Sequence, residues 1–155
     1  MKAIRIDSAY GTEPLRCSFI ADSAVRPHRR PVFIPEGHWR CEIRPAIRFN
    51  RLGKAISAKF APRYYNEWCL ANCLISENPS PLDSMIDDAL TLGDLQPVEG
   101  SPLPLDKINE LIEVLSRQAT FKTGDIIILP DILESFEPRI NQHISKDNKL
   151  EFTIK

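Results

Sequence analysis

The residues best able to do chemistry in this chain are few and widely spaced. Glu42, Arg44 and Arg48 alternate with Ile43, Ile47 and Phe49 over residues 41–49. A two-residue period puts one set on each face of a strand, so one carboxylate and two guanidiniums share a face while the apolar set enters the core. That charged face must meet solvent, a ligand or a partner. Arg40, Arg51 and Lys54 extend the positive charge. Arg44, Arg48 and Lys54 are therefore the candidate contacts for a small anion. Pairing of these cations with the acidic second half of the chain is the competing expectation.

The other reactive side chains form no recognisable device. Cys17, Cys41, Cys69 and Cys73 include no Cys-x-x-Cys pair and no zinc-ribbon spacing. Cys69 and Cys73 share a face in either a helix or a strand, and a soft-metal site with Cys41 and His38 is conceivable. Free buried thiols acting as small hydrophobes are the better expectation. His28, His38 and His143 are isolated and read as loop or surface residues. Ser57 and Ser76 have no histidine nearby. No phosphate-binding glycine loop, nucleophile elbow or His-Glu-x-x-His pattern occurs.

The elements that must position these residues follow from length, charge and proline. At 155 residues, 43% hydrophobic and with a net charge of −1, the chain is long enough for one domain with one sizeable core. We expect a single domain over 1–155: an N-terminal strand region and loop over 1–29, then a core over 30–155. The charge balance argues against nucleic acid as a partner, and no run of about 20 apolar residues suggests a membrane span. The charged N-terminus does not resemble a secretion signal, so the expected location is the cytoplasm. Charge is lopsided: residues 1–63 hold 13 Lys and Arg against 5 Asp and Glu, whereas residues 64–155 hold 7 against 16. Mutual neutralisation of the two halves is expected, with a basic surface for an anion or a partner subunit as the alternative. Thirteen prolines punctuate the sequence and keep its elements short.

Alternation predicts strands over 2–6, 15–20 and 41–49. Pro45 inside the third suggests an edge strand or a bulge. Residues 21–40 read as a loop. Ser57 is a plausible cap for a short helix over 58–64. Residues 65–75 fit either a strand or a helix. A strand over 89–92 and a buried strand over 125–129 follow. The best helix opens at Asp106, with Ile108, Leu111, Ile112 and Leu115 as its apolar stripe. A last strand spans 150–154. Strands separated by turns with two short helices define an α+β fold.

The order of these pieces resembles the fumarylacetoacetate hydrolase family. Pro31-Val32-Phe33-Ile34-Pro35 is similar to that family's Pro-x-Phe-x-x-Pro lead-in. Glu42-Ile43-Arg44 stands where the family has a Glu-x-Glu strand. Gly53-Lys54, Tyr64-Tyr65 and Asn72-Cys73 follow in the family's order, and Thr123-Gly124-Asp125-Ile126-Ile127 matches its C-terminal Gly-Asp strand. The resemblance covers roughly residues 30–155. It implies a mixed, rolled β-sheet, usually in a dimer. It also implies Mg²⁺, Mn²⁺ or Ca²⁺ held by carboxylates of the Glu-x-Glu strand and of Asn-Asp, as suits hard cations. The ion stabilises an enolate as a C–C bond breaks in acylpyruvate-type or keto acid substrates.

The sequence departs from the pattern at the ligands themselves. Glu42 fits the first glutamate, but Arg44 stands at the second and Cys73 at the aspartate. The family's His/Glu pair on a lid segment has no counterpart in residues 7–30. We therefore expect Glu42, Arg44 and Cys73 to be vestigial metal positions, with no cofactor bound unless the site is rebuilt, and Arg44 paired with Glu42. The corresponding function is binding or oligomerisation, with a homodimer and a small anionic ligand as expected partners. The alternative is an active hydrolase or isomerase with a rearranged site using Glu42 and one of Asp87, Asp88 or Asp94.

Overall fold

The computed structural model describes all residues, 1–155. Its strands are β1 (Ala3–Ile6), β2 (Cys17–Ile20), β3 (Val25–Pro27), β4 (Pro31–Val32), β5 (Trp39–Phe49), β6 (Tyr65–Ser76), β7 (Leu90–Leu92) and β8 (Gln96–Pro97). After helix α1 (Leu105–Gln118) come β9 (Ile126–Ile128), β10 (Glu134–Phe136), β11 (His143–Lys146) and β12 (Leu150–Ile154). The main sheet runs β2-β1-β9-β5-β6-β7-β3, with β10 also on β5 and β8 on β6. A smaller sheet runs β11-β12-β4. Parallel pairs β1/β9 and β3/β7 make the main sheet mixed.

Connectivity forces this sheet to roll. β2 and β3 are its two edges, six strand spacings apart, which is about 29 Å across a flat sheet. Yet Ile20 and Val25 are five residues apart, a reach of roughly 17 Å. The sheet must curl until its edges approach. Its concave face is filled by small and medium side chains from edge to edge: Ala3, Ile20, Ala24, Ala46, Cys69, Ala71, Cys73, Leu90, Ile126 and Ile128 among them. The other face carries the larger core, where Ile43, Ile47, Phe49 and Phe121 meet Ile108, Leu111 and Ile112 of α1. Phe49 and Phe121 stack with ring centroids 4.5 Å apart.

Several local expectations change in this context. The region 21–40 contains β3, β4 and the start of β5. Residues 65–75 are strand, paired along nearly all of β5. The short helix expected over 58–64 is a turn closing in a 3-10 segment, Ala61–Arg63, with Pro62 in its first turn, so only one α-helix forms. That helix starts at Leu105, and Asp106 lies in its first turn, where a carboxylate suits the helix dipole.

Pro45 is neither at an edge nor in a bulge of the β5/β6 pairing. It pairs with Leu70 in the middle of the sheet. On its other side β5 changes partner: Cys41–Ile43 pair with β10 and Ala46–Arg48 with β9. Pro45 occupies the gap, where no N–H is demanded, and its carbonyl still accepts from the Leu129 N–H at 2.9 Å.

The charge asymmetry resolves largely into pairs between the halves. Lys2–Asp125, Arg26–Asp87, Arg29–Asp94 and Arg48–Glu67 each join one to the other. Asp125 is the most buried member. Burial alone would raise its pKa, but the N–H groups of Lys2 and Lys122 and the Lys2 ammonium outweigh that and lower it. No helix is long and apolar enough to cross a membrane.

Candidate functional site

The charged face of β5 turns into the roll. Arg44 is 3% exposed, and its neighbours on the same face, Ala46 and the β6 residues Ala71 and Cys73, are buried. Small side chains on these strands leave space for one long one. Arg44 donates from Nε to the Leu129 carbonyl at 2.8 Å and from Nη2 to the Ile6 carbonyl. Its Nη1 lies 3.5 Å from Glu42 Oε1. Ile6 ends β1 and Leu129 follows β9, so this guanidinium ties the C-terminal ends of the two parallel strands and faces the carboxylate beside them.

Arg5 projects onto the same face from β1. Its Nε donates to Asp7 Oδ1 at 2.7 Å and its Nη2 to Ser18 Oγ at 3.2 Å. Arg5, Asp7, Glu42 and Arg44 line a cleft of about 360 Å³, to which Pro130 and Ile132 also contribute. Two cations and two carboxylates make the cleft formally neutral. Tyr10 donates to Asp131 Oδ2 at 2.8 Å, joining the loop after β1 to the segment after β9. Burial and the facing Asp131 carboxylate push the Tyr10 phenol far above its ordinary range, so it stays a donor.

The residues at the three expected ligand positions do come together. Glu42 and Cys73 are register partners across β5 and β6, and Arg44 follows two residues on along the same face. Their chemistry does not fit a hard divalent cation. One oxygen donor is present, a guanidinium takes the second place, and the third is a thiol. Burial pushes the Cys73 thiol up to about 11, although Arg44 and Arg5 act to lower it. No three His, Cys, Asp or Glu side chains converge in a metal-holding group anywhere in the chain.

Other sequence-predicted residues are dispersed. Arg44 and Arg48 are four residues apart on β5, about 13 Å along the strand, and each has its own partners, Leu129, Ile6 and Glu42 for Arg44 and Glu67 for Arg48. Arg48 lies toward the opposite end of the roll, 3.4 Å from Glu67. Lys54 is exposed in a turn. Arg40 donates to Ser135, and Arg51 sits over the Tyr64 ring. Asp87 is exposed, and Asp88 accepts from the Phe33 N–H. Asp94 is bound by Arg29 and His28, which hold its carboxyl down at about 2. None of these three aspartates lines the Glu42 cleft. Cys41 faces the larger core, away from Cys69 and Cys73, and Cys17 is exposed rather than buried. His28 is held by Asp94 and by the Glu151 N–H.

Arg5, Asp7 and Tyr10 escape the sequence reading. The alternation Ile4-Arg5-Ile6-Asp7 puts Arg5 and Asp7 on one face, and that was the available signal. Which other strand this face would meet was not readable from it.

The fold has clear relatives among solved structures. A protein of Yersinia pestis CO92 assigned to the fumarylacetoacetate hydrolase family superposes with a TM-score of 0.83, covering 99% of this chain and 92% of its own at 16% identity. The fumarylpyruvate hydrolase of Pseudomonas aeruginosa, solved with Mn²⁺ and pyruvate, gives 0.80 over 99% and 89% at 14% identity. The 5-carboxymethyl-2-hydroxymuconate delta-isomerase of Mycobacterium smegmatis gives 0.79 over 99% and 76% at 16% identity. No family model and no curated protein matches the sequence. The whole chain therefore has the fold of the fumarylacetoacetate hydrolase family, at identities where the likeness establishes fold alone.

Proposed function

We propose that this chain is a non-catalytic protein of the fumarylacetoacetate hydrolase fold, acting by binding a small anion or a second subunit rather than by metal-dependent C–C hydrolysis. One observation carries the reading: the Arg44 guanidinium, fixed on two strand-end carbonyls, stands beside Glu42 where a second carboxylate would be required. A fixed positive charge there repels a divalent ion and removes one of its ligands. With no ion to polarise a keto oxygen, the cleft has no Lewis acid for an enolate. What remains are the N–H groups of Arg44 and Arg5 not already engaged, which suit a carboxylate. Exposed Ile132, which lines the cleft, and the exposed Leu133 next to it in sequence support contact with a second copy.

Calorimetric titration with Mg²⁺, Mn²⁺ and Ca²⁺, paired with an acylpyruvate cleavage assay, tests the proposal. The expected result is no ion binding and no turnover. Ion binding that Glu42→Ala removes, or cleavage that a chelator abolishes, refutes it and establishes the rearranged hydrolase instead. Light scattering reports the subunit count, and a monomer at all concentrations removes the dimer from the proposal.

A further inference from the structure

The four charged side chains of the Arg44 cleft share one face of the roll. Arg5 on β1 and Ala46 on β5 both pair with Ile128 of β9, and register partners point to the same side of a sheet. Asp7 lies two residues beyond Arg5. Arg44 and Glu42 lie two and four residues before Ala46, so all four belong to that side. All four line the cleft, and Ile75 and Pro130 give it an apolar lining. At about 360 Å³ it falls at the small end of the roughly 300–1,000 Å³ usual for ligand sites.

Each cation here stands beside an acid, but the two acids differ. Asp7 Oδ1 accepts from Arg5 Nε at 2.7 Å and its Oδ2 from Ser18 Oγ, so both oxygens are engaged. Glu42 has only a loose ion pair, with Arg44 Nη1 at 3.5 Å, beyond the roughly 2.7–2.9 Å of a close charge-assisted bond. Its side chain is 17% exposed, so little water replaces the missing contact. On Arg44, Nε and Nη2 serve the Leu129 and Ile6 carbonyls, which leaves Nη1 as the freest donor.

This arrangement disfavours a simple anion. A carboxylate that accepts from Arg44 Nη1 arrives beside the Glu42 carboxylate, and like charges so placed repel. A ligand that carries its own positive charge removes the conflict: its carboxylate takes the free N–H groups of Arg44 and Arg5, and its ammonium takes Glu42. The cleft, neutral with two cations and two carboxylates, stays neutral. Because Nη1 and the Glu42 oxygen are only 3.5 Å apart, the two ligand charges must also lie close together, as they do on either side of one α-carbon.

We propose that the Arg44 cleft binds a free α-amino acid with a small aliphatic side chain, which lies against Ile75 and Pro130. This rests on the reading of the cleft as a metal-free anion site and names its ligand.

Calorimetric titration in EDTA with L-leucine, 4-methyl-2-oxopentanoate and 3-methylbutylamine tests it. The three carry the same branched chain; the second lacks the ammonium and the third the carboxylate. Leucine is expected to bind about tenfold or more tightly than either, as loss of one charged contact implies. Glu42→Gln, close in shape, weakens leucine about tenfold and leaves the keto acid unchanged or tighter. Amide shifts with leucine centre on Asp7, Glu42 and Arg44, while Gly93 and Gly124 beside Arg48 stay unmoved; the same spectra confirm that the variant is folded. The comparison of the three ligands on the wild type needs no variant. No leucine binding, leucine binding indifferent to Glu42→Gln, or keto acid binding as tight as leucine overturns the proposal, and the last leaves the anion reading standing. Keto acid binding that appears only when Mn²⁺ replaces EDTA refutes the metal-free reading and the proposal with it, so the two failures are told apart.

Discussion

Replacing Arg44 by Met measures what its guanidinium holds. The methylene stem is kept, so packing against Ala46 and Cys73 is largely preserved. What is lost is the donor to Leu129, the donor to Ile6 and the charge facing Glu42. Each buried carbonyl left without a donor costs about 1–3 kcal/mol. Glu42 keeps some access to water at 17% side-chain exposure and adds less. The total is about 3–5 kcal/mol, the range for removing one partner of a buried charge network. For a chain of this length that is a fall in Tm of about 10–15 °C. Urea unfolding followed by tryptophan fluorescence suits the assay, because Trp39 and Trp68 are both buried. Arg48→Met, at a half-exposed pair, is the internal control and costs under about 1 kcal/mol. An Arg44→Met loss below about 1 kcal/mol, with an unchanged denaturant slope, would refute the idea that this cation knits the ends of β1 and β9.

Three further outcomes follow from the same geometry. The double variant Arg44→Glu/Cys73→Asp brings three carboxylates together with Glu42 and binds Mn²⁺, detectable by electron paramagnetic resonance, whereas Arg44→Glu alone is less stable than Arg44→Met because it sets a carboxylate against two carbonyls. Alkylation of the native protein at pH 8, read by mass spectrometry, labels Cys17 alone; Cys41 and Cys69, both pushed up to about 12 by burial, and Cys73, pushed up to about 11, react only after unfolding. Asp125→Asn costs about 2–4 kcal/mol by weakening its charge-assisted bonds to Lys2 and Lys122. Because the folded Asp125 pKa is lowered, its contribution is full above the ordinary carboxylate range and fades as pH falls through that lowered value, so the gap between wild type and Asp125→Asn closes in acid.

The sequence by itself determined the local grammar. A two-residue alternation in 41–49 made a strand and put Glu42, Arg44 and Arg48 on one face. A helical stripe through Ile108, Leu111 and Ile112 made α1. The order of short motifs pointed to a rolled sheet of one family. These readings succeed because backbone period and side-chain face are set within a few residues. Only the tertiary structure decided what the charged face of β5 meets. Its burial depends on β1 and β9, about 40 and 80 residues away in sequence, and on the short link between Ile20 and Val25 that curls the sheet. Spacing along β5 parts Arg44 from Arg48, and the neighbouring strands bury the first in a neutral lattice while the second stays half-exposed beside Glu67. The order of those strands also makes Pro45 harmless, at the point where β5 exchanges one neighbour for another. Strand partnership is a long-range choice, and the pattern within any one strand does not encode it.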